Sequence, residues 1–185
     1  MSLVFISGAA RSGKSAWAEA YALSLAAGHS PLVYIATAWA EDPEMCRRIA
    51  LHKTAREGKG FGTVERCTDV GGIISWLPPD AVVLLECLGT LLANEMFDKH
   101  ETGAPGFVAP DFYVRKIFDE VLSLSLHAAH LLVVSNDIFS DGVIYDEPTE
   151  KYRQTLGALH VKLAAVAGLA VEFAAGQAFF HRGTR

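Results

Sequence analysis

Short apolar runs alternate along this chain with longer segments in which apolar residues recur at helical spacing. That alternation is typical of strand–helix–strand units, which build a largely parallel sheet covered on both faces. Strands are predicted over residues 3–7, 32–36, 62–67, 81–86, 130–135 and 169–173, and helices over 15–27, 70–77, 88–97, 112–129 and 149–167. The pattern therefore predicts an α/β fold of three layers, with helices on both faces of the sheet.

Turn and cap residues add detail to this pattern. Gly28 is predicted to end the first helix in a left-handed cap, and Asp42 followed by Pro43 is predicted to open a further helix. Residues 100–111 and 137–148 interrupt the alternation with glycine, proline and acidic residues. Because both connections are longer than usual, each is either a lid over a substrate or a surface insertion.

The first predicted strand leads directly into a G-x-x-x-x-G-K-S sequence, the phosphate-binding loop of P-loop NTPases. Its glycines and small residues let backbone N–H groups surround phosphate oxygens. Lys14 is expected to reach the terminal phosphates, and Ser15 to bind Mg²⁺ at the positive end of the following helix. The loop consists of Gly8, Ala9, Ala10, Arg11, Ser12, Gly13, Lys14 and Ser15. The sequence therefore predicts a P-loop fold that binds a nucleoside triphosphate.

Ligands of open parallel sheets bind beyond the carboxyl ends of the strands. Residues 37–39 follow the second predicted strand, and Asn136 and Asp137 follow a later one. Glu86 ends an apolar strand, where an unpaired carboxylate would be costly. Glu86 is therefore predicted to lie near Mg²⁺ and the nucleotide.

The helix predicted after Pro43 carries Arg48, His52 and Arg56 at i, i+4 spacing, which aligns them along one stripe. Flanking cations would keep the imidazole neutral and able to act as a nucleophile or base toward phosphorus. Met45 and Ile49 share much of that face, which instead favours a half-buried core histidine. The spacing alone leaves both interpretations open.

Composition narrows the class of protein. The formal net charge is −5 and no basic stripe is interleaved with aromatic residues, which argues against a nucleic-acid partner. Cys46, Cys67 and Cys87 form no C-x-x-C pair, which argues against a zinc site or disulfide framework. No signal peptide and no apolar run of membrane-spanning length is evident. We expect one soluble, cytoplasmic domain over residues 1–185.

Together these features resemble the bifunctional adenosylcobinamide kinase and adenosylcobinamide-phosphate guanylyltransferase family of cobalamin biosynthesis. The resemblance runs from Val4 to about Gly176, and its most specific part is the spacing of Arg48, Ile49, His52 and Arg56. The other matching residues are 8–15, Tyr34, Ile35, Ala36, Thr37, Glu44, Met45, Lys53, Thr63, Glu65, 84–87, Thr90, Asn94, 134–136, Arg153 and Gly157.

The resemblance implies a RecA-like P-loop domain, commonly assembled as a homotrimer. It implies that ATP or GTP phosphorylates adenosylcobinamide, after which GTP forms a guanylyl-enzyme on His52 and GMP passes to adenosylcobinamide phosphate. It also implies catalytic roles for His52 and Lys14, Mg²⁺ at Ser15 and Glu86, and nucleotide contacts at residues 8–15, Thr37, Ala38, Trp39, Lys53, Thr54, Ala55, Arg56, Glu65 and Glu86.

Small departures from the family pattern occur at Ala9, at Phe61 and in one extra residue between Arg56 and Glu65, and two further departures matter more. Residues 137–145 replace a glycine-rich segment, and His160 replaces an asparagine. Both concern corrinoid recognition and the kinase step more than GTP binding. Two alternatives therefore stay open: an enzyme that keeps one of the two activities, as a guanylyltransferase or a small-molecule kinase, and a nucleotide-binding regulatory module without a phosphoryl acceptor.

Overall fold

The computed structural model describes residues 2–39, 58–97, 109–139 and 142–182, together with the single helical positions Arg47 and Thr54. Its strands are β1 (Ser2–Gly8), β2 (Leu32–Ala36), β3 (Phe61–Glu65), β4 (Val82–Glu86), β5 (His130–Asn136), β6 (Leu169–Ala174) and β7 (Gln177–Arg182). Its α-helices are α1 (Lys14–Ala26), α2 (Leu88–Phe97), α3 (Pro110–His127) and α4 (Glu147–Val166), and Val70–Ser75 form a 3₁₀ helix. The helix predicted after Pro43 and most of residues 100–111 lie outside this description.

The strands form one seven-stranded sheet in the order β3-β2-β4-β5-β1-β6-β7. Every neighbouring pair is parallel except β6 and β7, which are antiparallel. The P-loop strand β1 lies between β5 and β6, and β4 lies between β2 and β5. The predicted α/β fold with a mostly parallel sheet is confirmed, and β7 is an addition that the prediction lacked.

Strand alternation divides the core into two layers. Along β5, Leu131 and Val133 pack with α2, α3 and α4, whereas Leu132 and Val134 pack with α1 on the opposite face. Buried residues of β4 alternate in the same way, and Leu84 belongs to the α1 layer. The same period of two places side chains at the ends of these strands on defined faces. This alternation decides which polar residues meet the P-loop.

Two predicted helix starts and one predicted helix type need correction. Helix α3 begins at Pro110 rather than residue 112, because proline suits the first turn of a helix. Helix α4 begins at Glu147 rather than residue 149, after Asp146, whose side chain accepts a hydrogen bond from a first-turn N–H. The segment Val70–Ser75 is a 3₁₀ helix instead of an α-helix, and its two adjacent glycines disfavour the α conformation. No helix within the described ranges is long and apolar enough to span a membrane.

Candidate functional site

The two fixed glycines of the P-loop each occupy a position that favours glycine. Gly13 has a φ of +93°, a left-handed conformation that favours glycine. Gly8 lies so close to β6 that an added Cβ would come within 2.6 Å of the Phe173 carbonyl oxygen. Glycine is therefore favoured at these two positions for different reasons. Gly13 permits a left-handed turn, and Gly8 permits close packing of the loop on β6.

Lys14 begins α1 with its side chain largely buried, since only 5% of the residue is exposed. Its Nζ donates a hydrogen bond to the Ala9 carbonyl oxygen at 3.1 Å, which uses one of three ammonium donors. Burial lowers the pKa of Lys14, and the charges of Glu86 and Cys87 oppose that shift. A bound phosphate would supply the negative charge that this desolvated ammonium favours.

Glu86 ends β4 directly beside the start of α1. Its Oε1 accepts a hydrogen bond from Ser15 Oγ, and its Oε2 accepts one from the Tyr34 hydroxyl at 3.1 Å. The structure thus brings Ser15 and Glu86, the two predicted Mg²⁺ ligands, into contact. Both provide oxygen atoms, the ligands that Mg²⁺ prefers, so the donor set fits this ion.

Thr37 is fully buried and joins the ends of β2 and β4. Its backbone N–H donates to the Glu86 carbonyl oxygen at 3.1 Å. Its Oγ1 accepts from the Cys87 N–H at 2.8 Å and donates to the Cys87 carbonyl oxygen at 3.0 Å. Asn94 in α2 donates to the Thr37 carbonyl oxygen at 2.7 Å. The Glu86–Cys87 peptide, which is cis, is therefore held between two strands and a helix.

The remaining predicted nucleotide contacts occupy the same edge of the sheet. Ala36 pairs in register with Glu65 of β3 on one side and with Glu86 of β4 on the other. Residues 37–39 continue from β2, and Glu65 is exposed at the end of the edge strand. The carboxyl edge from β3 to β1 thus holds each predicted contact that the structure describes, apart from Thr54.

The predicted histidine helix is described only at isolated positions. Thr54 is helical and exposed. His52, Lys53, Ala55 and Arg56 lie outside the described residues, and their contact with the P-loop stays a prediction.

Tyr34 is a site residue to which sequence reasoning assigned no role. Alternation along β2 could have identified it, because Tyr34 pairs with Leu84 of β4, two positions before the pair of Ala36 and Glu86. Both Tyr34 and Leu84 pack in the α1 layer. A hydroxyl on that face can reach the carboxylate of the next strand, and here it fixes one of its oxygens.

His160 lies behind the site as a half-buried side chain on the opposite face of the sheet. Its Nε2 makes a 2.7 Å hydrogen bond with Ser135 Oγ, and its ring contacts Phe5 and Phe139 edge-on at centroid distances of 5.0 and 5.1 Å. Burial lowers the pKa of His160 to about 4, against a smaller opposing effect of Asp137.

This environment predicts an acid-sensitive contribution to stability. Between pH 6.5 and pH 4 the unfolded chain binds a proton at residue 160 that the folded protein does not bind, so stability is lost as pH falls through that range. His160→Asn can retain a bond to Ser135 without titrating. Between pH 7.5 and 4.5, urea denaturation should show the wild type losing roughly 2 to 3 kcal/mol more unfolding free energy than the variant. The exposed His29→Asn is the control, and identical pH slopes for wild type and His160→Asn would contradict the assignment.

Comparisons with known proteins agree with this geometry. A family model described as cobinamide kinase / cobinamide phosphate guanyltransferase matches residues 4–180. The bifunctional adenosylcobalamin biosynthesis protein CobU of Escherichia coli K12 is 30% identical over 175 residues, which cover 89% of this chain and 91% of that protein. The protein of the same name from Salmonella typhimurium LT2 is 32% identical over 171 residues, with the same two coverages of 89% and 91%.

A solved structure supports the fold alone. This structure, an ATPase domain, aligns with a TM-score of 0.52 at 13% identity, covering 92% of this chain and 68% of that chain. The predicted P-loop fold is confirmed by this likeness together with the sheet order.

Proposed function

Because this chain belongs to the cobinamide kinase / cobinamide phosphate guanyltransferase family, we propose that it is a bifunctional enzyme of cobalamin biosynthesis. It phosphorylates adenosylcobinamide with ATP or GTP and then transfers GMP from GTP to adenosylcobinamide phosphate. The observation that carries this proposal is the contact between Ser15 of the P-loop and Glu86 of β4. That contact joins a phosphate-binding loop to a carboxylate at the edge of the sheet where ligands bind.

In the first step the hydroxyl oxygen of the corrinoid's aminopropanol arm attacks the γ-phosphorus. A new P–O bond forms, the bond from the γ-phosphorus to the β-phosphate oxygen breaks, the nucleoside diphosphate leaves, and the hydroxyl proton is released. The buried Lys14 ammonium offsets charge on the phosphate oxygens. Mg²⁺, when bound, would be held by Ser15 and Glu86 and would neutralise phosphate charge.

In the second step an imidazole nitrogen of His52 attacks the α-phosphorus of GTP. A P–N bond forms and pyrophosphate leaves. A phosphate oxygen of adenosylcobinamide phosphate then attacks the same phosphorus, so that the P–N bond breaks, His52 is regenerated and adenosylcobinamide-GDP forms. Arg48 and Arg56, four residues on either side of His52 in sequence, would favour the neutral imidazole and offset phosphate charge.

The described residues around the phosphates act mainly by positioning. Tyr34 and Ser15 hold the two oxygens of Glu86, which fixes the direction of the carboxylate. Thr37 and Asn94 hold the backbone that follows it. Such supporting contacts reduce the reorganisation needed when charge develops during the reaction.

Product analysis tests the proposal. The purified protein is incubated with adenosylcobinamide, ATP, GTP and Mg²⁺, and the corrinoid products are separated and identified by mass spectrometry. We expect adenosylcobinamide phosphate with ATP alone and adenosylcobinamide-GDP with both nucleotides. If the protein converts adenosylcobinamide phosphate but not adenosylcobinamide, it is a guanylyltransferase without kinase activity. If it forms adenosylcobinamide phosphate but no adenosylcobinamide-GDP, it is a kinase alone. GTP binding without any corrinoid product would indicate a regulatory module and overturn the proposal.

Assembly and location are further parts of the proposal, and the family resemblance supports them. We propose a homotrimer in the cytoplasm. Sedimentation velocity on the purified chain tests the first point, and a monomer at micromolar concentration would contradict it.

A further inference from the structure

Asn136 ends β5 between the two strands that carry the candidate phosphate site. On one side Asn136 pairs in register with Gly8, the first residue of the P-loop. On the other side Val134, two residues earlier, pairs with Glu86. Neighbouring strands lie about 5 Å apart. The backbone of Asn136 therefore lies one strand spacing from the P-loop and just beyond the level of the carboxylate.

The side chain of Asn136 shares a sheet face with the phosphate site. Leu132 and Val134 pack in the α1 layer, and the period of two continues to Asn136. Glu86 lies on this face as well, because it bonds to Ser15 at the start of α1. The carboxamide and the carboxylate therefore extend toward the P-loop helix from adjacent strands.

Hydrogen bonds fix the backbone on both sides of Asn136. Ser135 bonds to His160 on the opposite face at 2.7 Å. The Asp137 N–H donates to the Gly8 carbonyl oxygen at 2.9 Å, and its Oδ1 accepts from the Phe139 N–H at 2.9 Å. Within the described part of the chain, the half-buried Asn136 carboxamide makes no hydrogen bond. The neighbouring residues therefore fix the position of Asn136, while the N–H donors of its carboxamide remain available to a ligand.

From this placement we infer that Asn136 contacts the substrate nucleotide: its Nδ2 donates a hydrogen bond to an oxygen of the terminal phosphate. The inference rests on the proposed function for the identity of the nucleotide. A neutral amide suits this position because it donates to an anion without competing with Lys14 or repelling the phosphate, as a carboxylate would.

The two proposed reactions would depend on this contact to different extents. Phosphoryl transfer displaces the γ-phosphorus, so Asn136 would touch the group that reacts. Guanylyl transfer occurs at the α-phosphorus, and the γ-phosphate leaves as part of pyrophosphate. Asn136 is therefore a catalytic residue for the kinase step and a binding residue for the guanylyl step.

Titration calorimetry with GTP and GDP, both with Mg²⁺ and all in a His52→Ala background that cannot form the guanylyl-enzyme, isolates the contact because only GTP has a γ-phosphate. In Asn136→Ala the preference for GTP over GDP should fall about tenfold, with GDP affinity within twofold of wild type. In Asn136→Asp the preference should fall further, since the carboxylate repels the phosphate. Gln154→Ala removes an exposed carboxamide of α4 and should change neither affinity.

The outcomes separate this inference from the proposed function. An unchanged GTP-to-GDP preference in Asn136→Ala would overturn it, as would equal weakening of both ligands, which would indicate a structural role. If the wild type makes no corrinoid product, the proposed function fails while the binding comparison still decides the role of Asn136. If the wild type is active, Asn136→Ala should lower kcat of the kinase step about 100-fold and guanylyl-enzyme formation at saturating GTP less than threefold.

Discussion

Lys14→Met is expected to weaken GTP binding by about 100-fold, the loss typical of a charge-assisted hydrogen bond to an anion. The ammonium is buried at the start of α1 and bonds to the Ala9 carbonyl oxygen, so it is already oriented before any ligand arrives. Methionine is comparably long and apolar, so the substitution removes the charge without opening a cavity. Because burial disfavours the charged form of Lys14, the ligand-free variant should be at least as stable as the wild type.

Thermal and chemical denaturation with and without GTP check this expectation. At a GTP concentration 100 times the wild-type Kd, binding should add about 2.7 kcal/mol to wild-type stability and only about 0.4 kcal/mol to that of the variant. Lys162→Met, which alters an exposed lysine of α4, is the matched control and should retain the full effect. Equal GTP stabilisation in Lys14→Met and wild type would refute the phosphate-binding role of the loop.

Local pattern was sufficient for most of the sheet and insufficient for its last strand. All six parallel strands were predicted. Five of them are short apolar runs, because burial on both faces leaves a continuous signal, whereas β3 is a mostly exposed strand at the sheet edge. Strand β7 (Gln177–Arg182) alternates between half-buried and exposed positions at the edge of the sheet, which weakens that signal. It follows a turn at Ala175 and Gly176, which have φ values of 50° and 77°. An asparagine or aspartate in place of Ala175 would have given the sequence pattern typical of a two-residue hairpin turn.

Some features of the candidate site were also predictable from local sequence, whereas others depend on residues far apart in the chain. The P-loop is contiguous in sequence, so its conformation and its lysine could be predicted from residues 8–15 alone. The carboxylate of Glu86 was also predictable, since an apolar strand that ends in an acid requires a partner. The bonds from Tyr34 to Glu86 and from Thr37 to Cys87 span about fifty residues and depend on strand order, which periodicity does not specify.

His52→Ala is expected to abolish covalent guanylylation while leaving GTP affinity within threefold of wild type. The imidazole would form the P–N bond, whereas the binding of the phosphates would rest on the P-loop and Lys14. With no nucleophile at this position the second reaction stops, and adenosylcobinamide phosphate should accumulate because the kinase step does not use His52. A variant that fails to fold would make neither product, whereas this variant should lose adenosylcobinamide-GDP and accumulate adenosylcobinamide phosphate.

The measurement uses GTP labelled in its α-phosphate. After incubation with Mg²⁺ and denaturation, wild-type protein should retain label that is lost in acid and stable in alkali, as a phosphoramidate bond requires. His181→Ala removes an exposed histidine of β7 that pairs with Glu172, and it should be labelled like the wild type. Label retained on His52→Ala would disprove the guanylyl-histidine, and absence of label from the wild type would exclude a covalent route. The P-loop would then serve a direct transfer, in which the corrinoid phosphate itself attacks the α-phosphorus.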